Sequence, residues 1–195
     1  MKTRLVPWLI AGLCMSLLTA CSKTVTWQEE VPLNTGEVIW VERIVTYKIQ
    51  GAGHNPLDMG LRPDWTETRR FTWRGKDYSY TGDAGLMLLA ISPTTNEPVL
   101  VANAMLKNWD RQNGYRCTTP YYVQLSPTKD NKRWVWPQGI EPWLYEKPAN
   151  LMLYTPKIDQ VKTRYSKVER EQLDAGNSTF LRVIDKDFSF TSCKQ

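Results

Sequence analysis

The chain has 195 residues, of which 25 are Lys or Arg, 20 are Asp or Glu, and only one is His. A formal charge of +5 spread this thinly gives no nucleic-acid footprint, and a lone His offers no histidine-rich metal set. With 42% hydrophobic residues the chain is neither disordered nor fibrous, and it is long enough for one domain with a sizeable core.

The first element reads as a leader. Lys2 and Arg4 precede an apolar stretch from Leu5 to Leu18 that holds Trp8, Leu9, Ile10, Leu13, Met15 and Leu17. It is too short to span the roughly 30 Å hydrocarbon core as a permanent helix. It closes on Leu18-Thr19-Ala20-Cys21. This arrangement resembles the signal peptide and lipobox of bacterial lipoproteins. The resemblance implies that residues 1–20 are removed and that Cys21, carrying lipid, becomes the first residue. Ser22 rather than Asp after the cysteine implies, by the same resemblance, sorting to the outer membrane, facing the periplasm. Loss of Lys2 and Arg4 lowers the formal charge from +5 to +3.

Residues 21–24 then form a short tether, and residues 25–195 a single β-rich domain. Cys14 sits in the apolar stretch as a filler. Cys117 and Cys193 remain, and in an oxidising compartment an even pair reads as one disulfide. Closing so long a loop is worth on the order of 4 kcal/mol in the chain-entropy account. Free thiols, or a redox or metal role, are the other readings, without a CxxC or His-Cys spacing behind them.

Residues 25–31 predict a strand, paired antiparallel through the turn Leu33-Asn34-Thr35-Gly36 with a second strand over 36–47. Gly51, Gly53, Pro56, Gly60 and Pro63 predict a long irregular loop over 50–68. Phe71-Thr72-Trp73 and Tyr78-Ser79-Tyr80 flank Arg74-Gly75-Lys76-Asp77 as a hairpin. Residues 86–91 and 99–102 are apolar on both faces and predict central buried strands. Residues 115–125 predict a strand that carries Cys117. Near the C-terminus, Thr155 as cap, Pro156 in the first turn and the stripe Ile158, Val161, Tyr165, Val168 and Leu173 predict a helix over about 157–175, ended by Gly176 and Asn177. Residues 180–184 and 188–190 predict closing strands. The expected fold is mainly β, an antiparallel sandwich or curved sheet with one helix in the C-terminal region.

No Gly-x-Ser-x-Gly motif is present, and His54 lies in a turn-rich stretch where a loop or capping role suffices. Asp58, Asp64 and Asp83 lack the spacing of a calcium loop. Hydrolysis would therefore rest on carboxylates that only folding brings together. The aromatic content is the strongest compositional signal. Trp134, Trp136, Trp143 and Tyr145 crowd a proline-braced segment that reads either as core bracing or as a ligand-binding groove. The basic pairs Arg69-Arg70 and Lys132-Arg133 read as solvated strand ends. No cofactor or metal is expected. The sequence thus points to a lipid-anchored envelope protein with a non-enzymatic binding or accessory role near the membrane. Its expected partners are the membrane, through the lipid on Cys21, and an envelope protein or cell-wall glycan, with no nucleic acid. The alternatives are a hydrolase acting on glycan or peptide through carboxylates, and a structural accessory of an envelope assembly.

Overall fold

The computed structural model of the chain describes residues 22–52, 55–83, 85–104, 119–131, 133–135, 139–176 and 182–189. The readings made on Cys14, Cys21, His54, Cys117, Lys132, Trp136 and Cys193 fall outside the described residues.

Two sheets pack face to face. The first contains β1 (Ser22–Pro32), β2 (Val38–Ala52), β3 (Asn55–Trp73), β4 (Lys76–Asp83) and β9 (Arg164–Tyr165), in the order β4-β3-β2-β1-β9. The second contains β5 (Leu86–Ile91), β6 (Pro98–Asn103), β7 (Tyr122–Pro127) and β8 (Trp134–Val135), in that order. Every pair is antiparallel except β1 with β9, which is parallel. One helix, α1 (Lys167–Asp174), lies near the C-terminus. Among the described residues, the chain adopts the expected mainly-β architecture with a helix near the C-terminus.

Period-two alternation builds the first sheet. Trp27, Glu29 and Val31 on β1, and Val41, Arg43, Val45 and Tyr47 on β2, are buried. Glu67, Arg69, Phe71 and Trp73 on β3, and Tyr78 and Tyr80 on β4, are buried on the same face. The β3–β4 connection is a two-residue turn in which Arg74 (φ 48°) and Gly75 (φ 75°) are both left-handed. That backbone matches the strand twist, and glycine adopts it without penalty.

The second sheet is buried on both faces. Leu86, Leu89, Ile91, Leu100, Val123 and Leu125 face the first sheet. Met87, Leu88, Ala90, Val99, Val101 and Tyr122 pack under Leu144 and Ile184 on the other side. This explains the unbroken apolar runs of β5 and β6. β5, however, is a margin of its sheet, not a central strand. Side-chain amides complete its open edge. Asn34 donates to the Ile91 carbonyl (2.9 Å) and accepts from the Ile91 N–H (2.7 Å). Asn150 does the same at Leu89, at 2.7 and 2.8 Å. A carboxamide offers one donor and one acceptor at about the spacing of a backbone amide, so each asparagine stands in for a strand residue.

The buried face of the first sheet is covered in two stretches. The second sheet covers the end near Val31, Val41, Phe71 and Tyr78. Residues 152–165 cover Trp27, Val45 and Tyr47 with Met152, Ile158, Val161 and Tyr165.

Several sequence expectations need correction. Of the predicted loop over 50–68, the described residues instead belong to the paired strands β2 and β3. Glycine and proline are tolerated there because the strands run on past their outer neighbours and need fewer ladder bonds. The predicted helix over 157–175 shrinks to Lys167–Asp174. Thr155 does not cap it, because its hydroxyl is taken by Arg43 (2.7 Å). Residues 158–160 form a 3-10 turn, and Arg164–Tyr165 joins the sheet as β9. The real cap is Ser166 in a reciprocal capping box with Glu169, while Val168 and Leu173 of the supposed buried stripe are exposed. Of the predicted strand over 115–125, the described residues 119–121 are not in a strand, and β7 runs from Tyr122 to Pro127. Of the predicted closing strands, the described residues 182–189 form only a bridge, Val183 with Pro148.

Candidate functional site

Two clusters of polar side chains sit on opposite faces of the first sheet. The inner one is closed. Glu29, Arg43, Glu67 and Arg69 converge with side chains at most 1% exposed. Glu67 accepts from Arg43 Nε (2.6 Å) through one oxygen and from Arg69 Nε (2.7 Å) through the other. Glu29 accepts from Arg69 Nη1 (2.7 Å) and from the Met152 N–H (2.6 Å). Both guanidiniums also donate to the Met152 carbonyl, and Arg43 reaches the Tyr154 carbonyl (3.3 Å) and lies 5.1 Å over the Trp27 ring. Two cations meet two anions, so the cluster is neutral as a whole.

The two carboxyls differ in their proton affinity. Burial pushes Glu29 up from its ordinary value, and Arg69, Arg43 and the Met152 N–H together do not cancel that. Burial also pushes on Glu67, but Arg43 and Arg69 together overcome it and hold Glu67 low. With no route to solvent this cluster clamps residues 152–155 onto the sheet rather than meeting a substrate. Arg69, expected at a solvated strand end, is therefore a core residue, whereas its neighbour Arg70 points outward.

The outer cluster is open. Arg164, Gln28, Glu42, Arg70 and Ser79 stand side by side across all five strands of the first sheet. Arg164 donates to Gln28 (3.1 Å) and lies 5.3 Å over the ring of Trp40, which is 44% exposed. Arg70 pairs with Glu42 at 3.6 Å, and Thr72 donates to Asp77 (2.6 Å). All of these but Arg164 line an open groove of about 980 Å³, walled on one side by Asp130 and Asn131, and Arg164 reaches it over the Trp40 ring. That wall is a tight turn in which Thr128 Oγ1 donates to Asp130 (2.5 Å) and the Asn131 N–H bonds the Thr128 carbonyl (2.8 Å). Beside it, Tyr78 donates to Glu97 (2.5 Å) and Lys76 pairs with the same carboxylate (2.9 Å), joining the β3–β4 hairpin to the β5–β6 turn. Those two bonds hold the Glu97 carboxyl below its usual value.

A half-exposed indole among hydroxyls, amides and paired charges suits a polar ligand with one apolar face. Glu42 and Asp77 are the groove's carboxylates nearest the indole's row. By strand spacing their backbones lie roughly 12 Å apart, with Arg70 and Thr72 between them.

The tryptophan segment singled out from sequence is divided. Trp134 packs among Phe71, Tyr78 and Tyr80 and donates to the Ser79 carbonyl (2.8 Å). Trp143 and Tyr145 lie against the other core cluster, and Trp143 donates to Glu141. Trp134 and Trp143 thus brace different layers. Asp64 pairs with Lys48 (2.6 Å), and Arg133 is exposed at the end of the Thr128 turn. Among the described residues no three of His, Cys, Asp and Glu gather as a metal set, and no helix is long and apolar enough to cross a membrane.

Trp40, Glu42, Arg70 and Arg164 were missed as a group because they come from three strands, β2, β3 and β9. The available signal was parity: Trp40 and Glu42 fall on the outward positions of a strand whose inward positions are Val41, Arg43 and Val45. Compared with known proteins, the chain matches no family model, no curated protein and no solved structure.

Proposed function

We propose that this chain is a lipid-anchored envelope protein that binds a polar envelope polymer, cell-wall glycan foremost, through the groove around Trp40. The groove carries the reading: an indole under a guanidinium, flanked by Gln28, Glu42, Arg70 and Ser79, offers stacking together with a row of donors and acceptors. The leader and Cys21 support the anchor and the placement in the outer membrane, facing the periplasm. β1 begins at Ser22, one residue after Cys21, so an anchored domain would sit against its membrane. The Cys117–Cys193 disulfide belongs to the same reading. Its support is that the Tyr121 N–H bonds the Phe188 carbonyl (2.9 Å), so a residue four after Cys117 is adjacent to one five before Cys193.

The test is titration of peptidoglycan fragments against intrinsic fluorescence of the wild type and of Trp40→Ala. A saturable change in the wild type that Trp40→Ala abolishes is the expected result. No change in the wild type, with the fold intact by circular dichroism, sinks the proposal. Release of soluble sugar or peptide during the titration, lost in Glu42→Gln or Asp77→Asn, favours the hydrolase reading instead.

A further inference from the structure

β2 and β3 outrun both of their neighbours. β1 starts at Ser22, opposite Lys48, and β4 ends at Asp83, opposite Thr66. Beyond these points residues 49–52 and 55–63 form a two-stranded ribbon, which extends roughly 13 Å past Ser22 at the usual rise per strand residue. The ribbon has two unlike faces. Ile49 stands opposite Leu61, and Met59 opposite Gly51, on the face that continues the buried side of the sheet beyond Tyr47. That face loses its cover: Tyr47 is fully buried, but Ile49 is 44%, Leu61 38% and Met59 59% exposed. Lys48, opposite Arg62, lies on the other face. Trp65, in the register shift at the base of the ribbon, is 67% exposed.

We infer that this ribbon is a membrane foot that lays its apolar face in the headgroup layer of a phospholipid bilayer. The proposal rests on the anchoring part of the function given above. Its occupant follows from where the chain leads. Cys21 adjoins Ser22, and Ser22 is in register with Lys48 at the base of the ribbon, so acyl chains on Cys21 would enter the bilayer beside the exposed apolar residues. The composition agrees, because an exposed Trp with Lys23, Lys48 and Arg62 nearby is what the interface favours. The ribbon's outer edges lack strand partners among the described residues, which keeps its backbone out of dry hydrocarbon and in the wetter interface. Shallow contact on top of a lipid anchor would fix the tilt of the domain and point the far end of β3 away from the surface.

The test places a photoreactive phenylalanine analogue at Met59, at Leu61 and, as a control, at Lys76, at the far end of the β3–β4 hairpin. The full-length protein, processed in a bacterial host, is reconstituted in vesicles of phosphatidylethanolamine with phosphatidylglycerol. A parallel sample in which Cys21→Ser removes the anchor is added to the same vesicles from solution. After illumination, lipid adducts are measured by mass spectrometry. Many-fold more adduct at Met59 and Leu61 than at Lys76 supports the foot. Equal yields at all three sites, or crosslinks to protein in place of lipid, overturn it, and a melting temperature equal to the wild type certifies each variant. The mass of the N-terminal peptide reads the anchor separately. Acylated Cys21 without adducts at Met59 and Leu61 refutes the foot alone. Unmodified Cys21 refutes the anchor, and the Cys21→Ser sample still decides the foot.

Discussion

Glu67→Gln tests whether the buried ion cluster is a clamp. The substitution keeps the shape of the side chain but removes one of two negative charges facing two guanidiniums. It also turns an NH₂ group toward either Arg43 Nε or Arg69 Nε, which now sit 2.6 and 2.7 Å from carboxylate oxygens. Removing one partner from a buried charge network costs about 3–5 kcal/mol, a large share of the roughly 5–15 kcal/mol that holds a domain together. In a domain of this size each kcal/mol moves the midpoint by about 2–4 °C, so Tm should fall by roughly 6–20 °C. Urea and thermal melts followed by near-ultraviolet circular dichroism measure it. The pH dependence has a fixed sign. Glu67 is held below its ordinary 4.5, so its contribution is present above that value and is lost as pH falls through the lowered one. Glu29 is raised, so its contribution runs the other way, present below 4.5 and lost as pH rises through its raised value. The gap between wild type and Glu67→Gln should therefore narrow as pH falls below 4.5. Replacing all four residues together, as Glu29→Leu, Arg43→Met, Glu67→Leu and Arg69→Met, leaves no orphaned charge and should cost far less than the single change. A Glu67→Gln protein within about 1 kcal/mol of wild type at neutral pH would refute the clamp.

Asn150→Ala removes the partner of the Leu89 N–H and C=O and of the Pro32 carbonyl, and should cost about 3 kcal/mol with faster amide exchange at Leu89, read by NMR. Ser166→Ala removes the N-terminal cap of α1 and should cost about 1 kcal/mol in urea unfolding. Bonds from Lys162 and Ser166 hold the Glu169 carboxyl down at about 2. The capping box should accordingly persist from neutral pH down through 4.5 and open only as pH approaches 2. A carboxyl chemical-shift titration of Glu169 with a midpoint at 4 or above would contradict that.

Local signals carried much of the fold. The Gly36 and Arg74-Gly75 turns, with alternating strands on either side, located two hairpins, and the unbroken apolar runs of β5 and β6 reported a sheet covered on both faces. What failed depended on distant partners. The helical stripe from Ile158 to Tyr165 is periodic, but Met152, Tyr47 and Trp27 offer it an extended path, and the nearby Ser166-x-x-Glu169 box was the truer start signal. Arg69 and Arg70 are adjacent, yet one is core and the other groove. The inward parity of Glu29, Arg43, Glu67 and Arg69 was readable in each strand, but their mutual neutralisation needs the pairing register. The groove likewise needs the order β4-β3-β2-β1-β9, in which β9 arrives from more than a hundred residues away.

The two amides on β5 also bear on how copies of the chain coexist. A bare strand margin is a template onto which another chain can add a strand and then another. Copies anchored as proposed above would meet in two dimensions, where encounters between like margins are frequent. Asn34 and Asn150 fill the bonding slots of Leu89 and Ile91 from within the same molecule. An incoming strand would first have to displace them, so dense packing need not become polymerisation. Changing both asparagines should therefore yield a chain that aggregates faster than its loss of stability alone would explain.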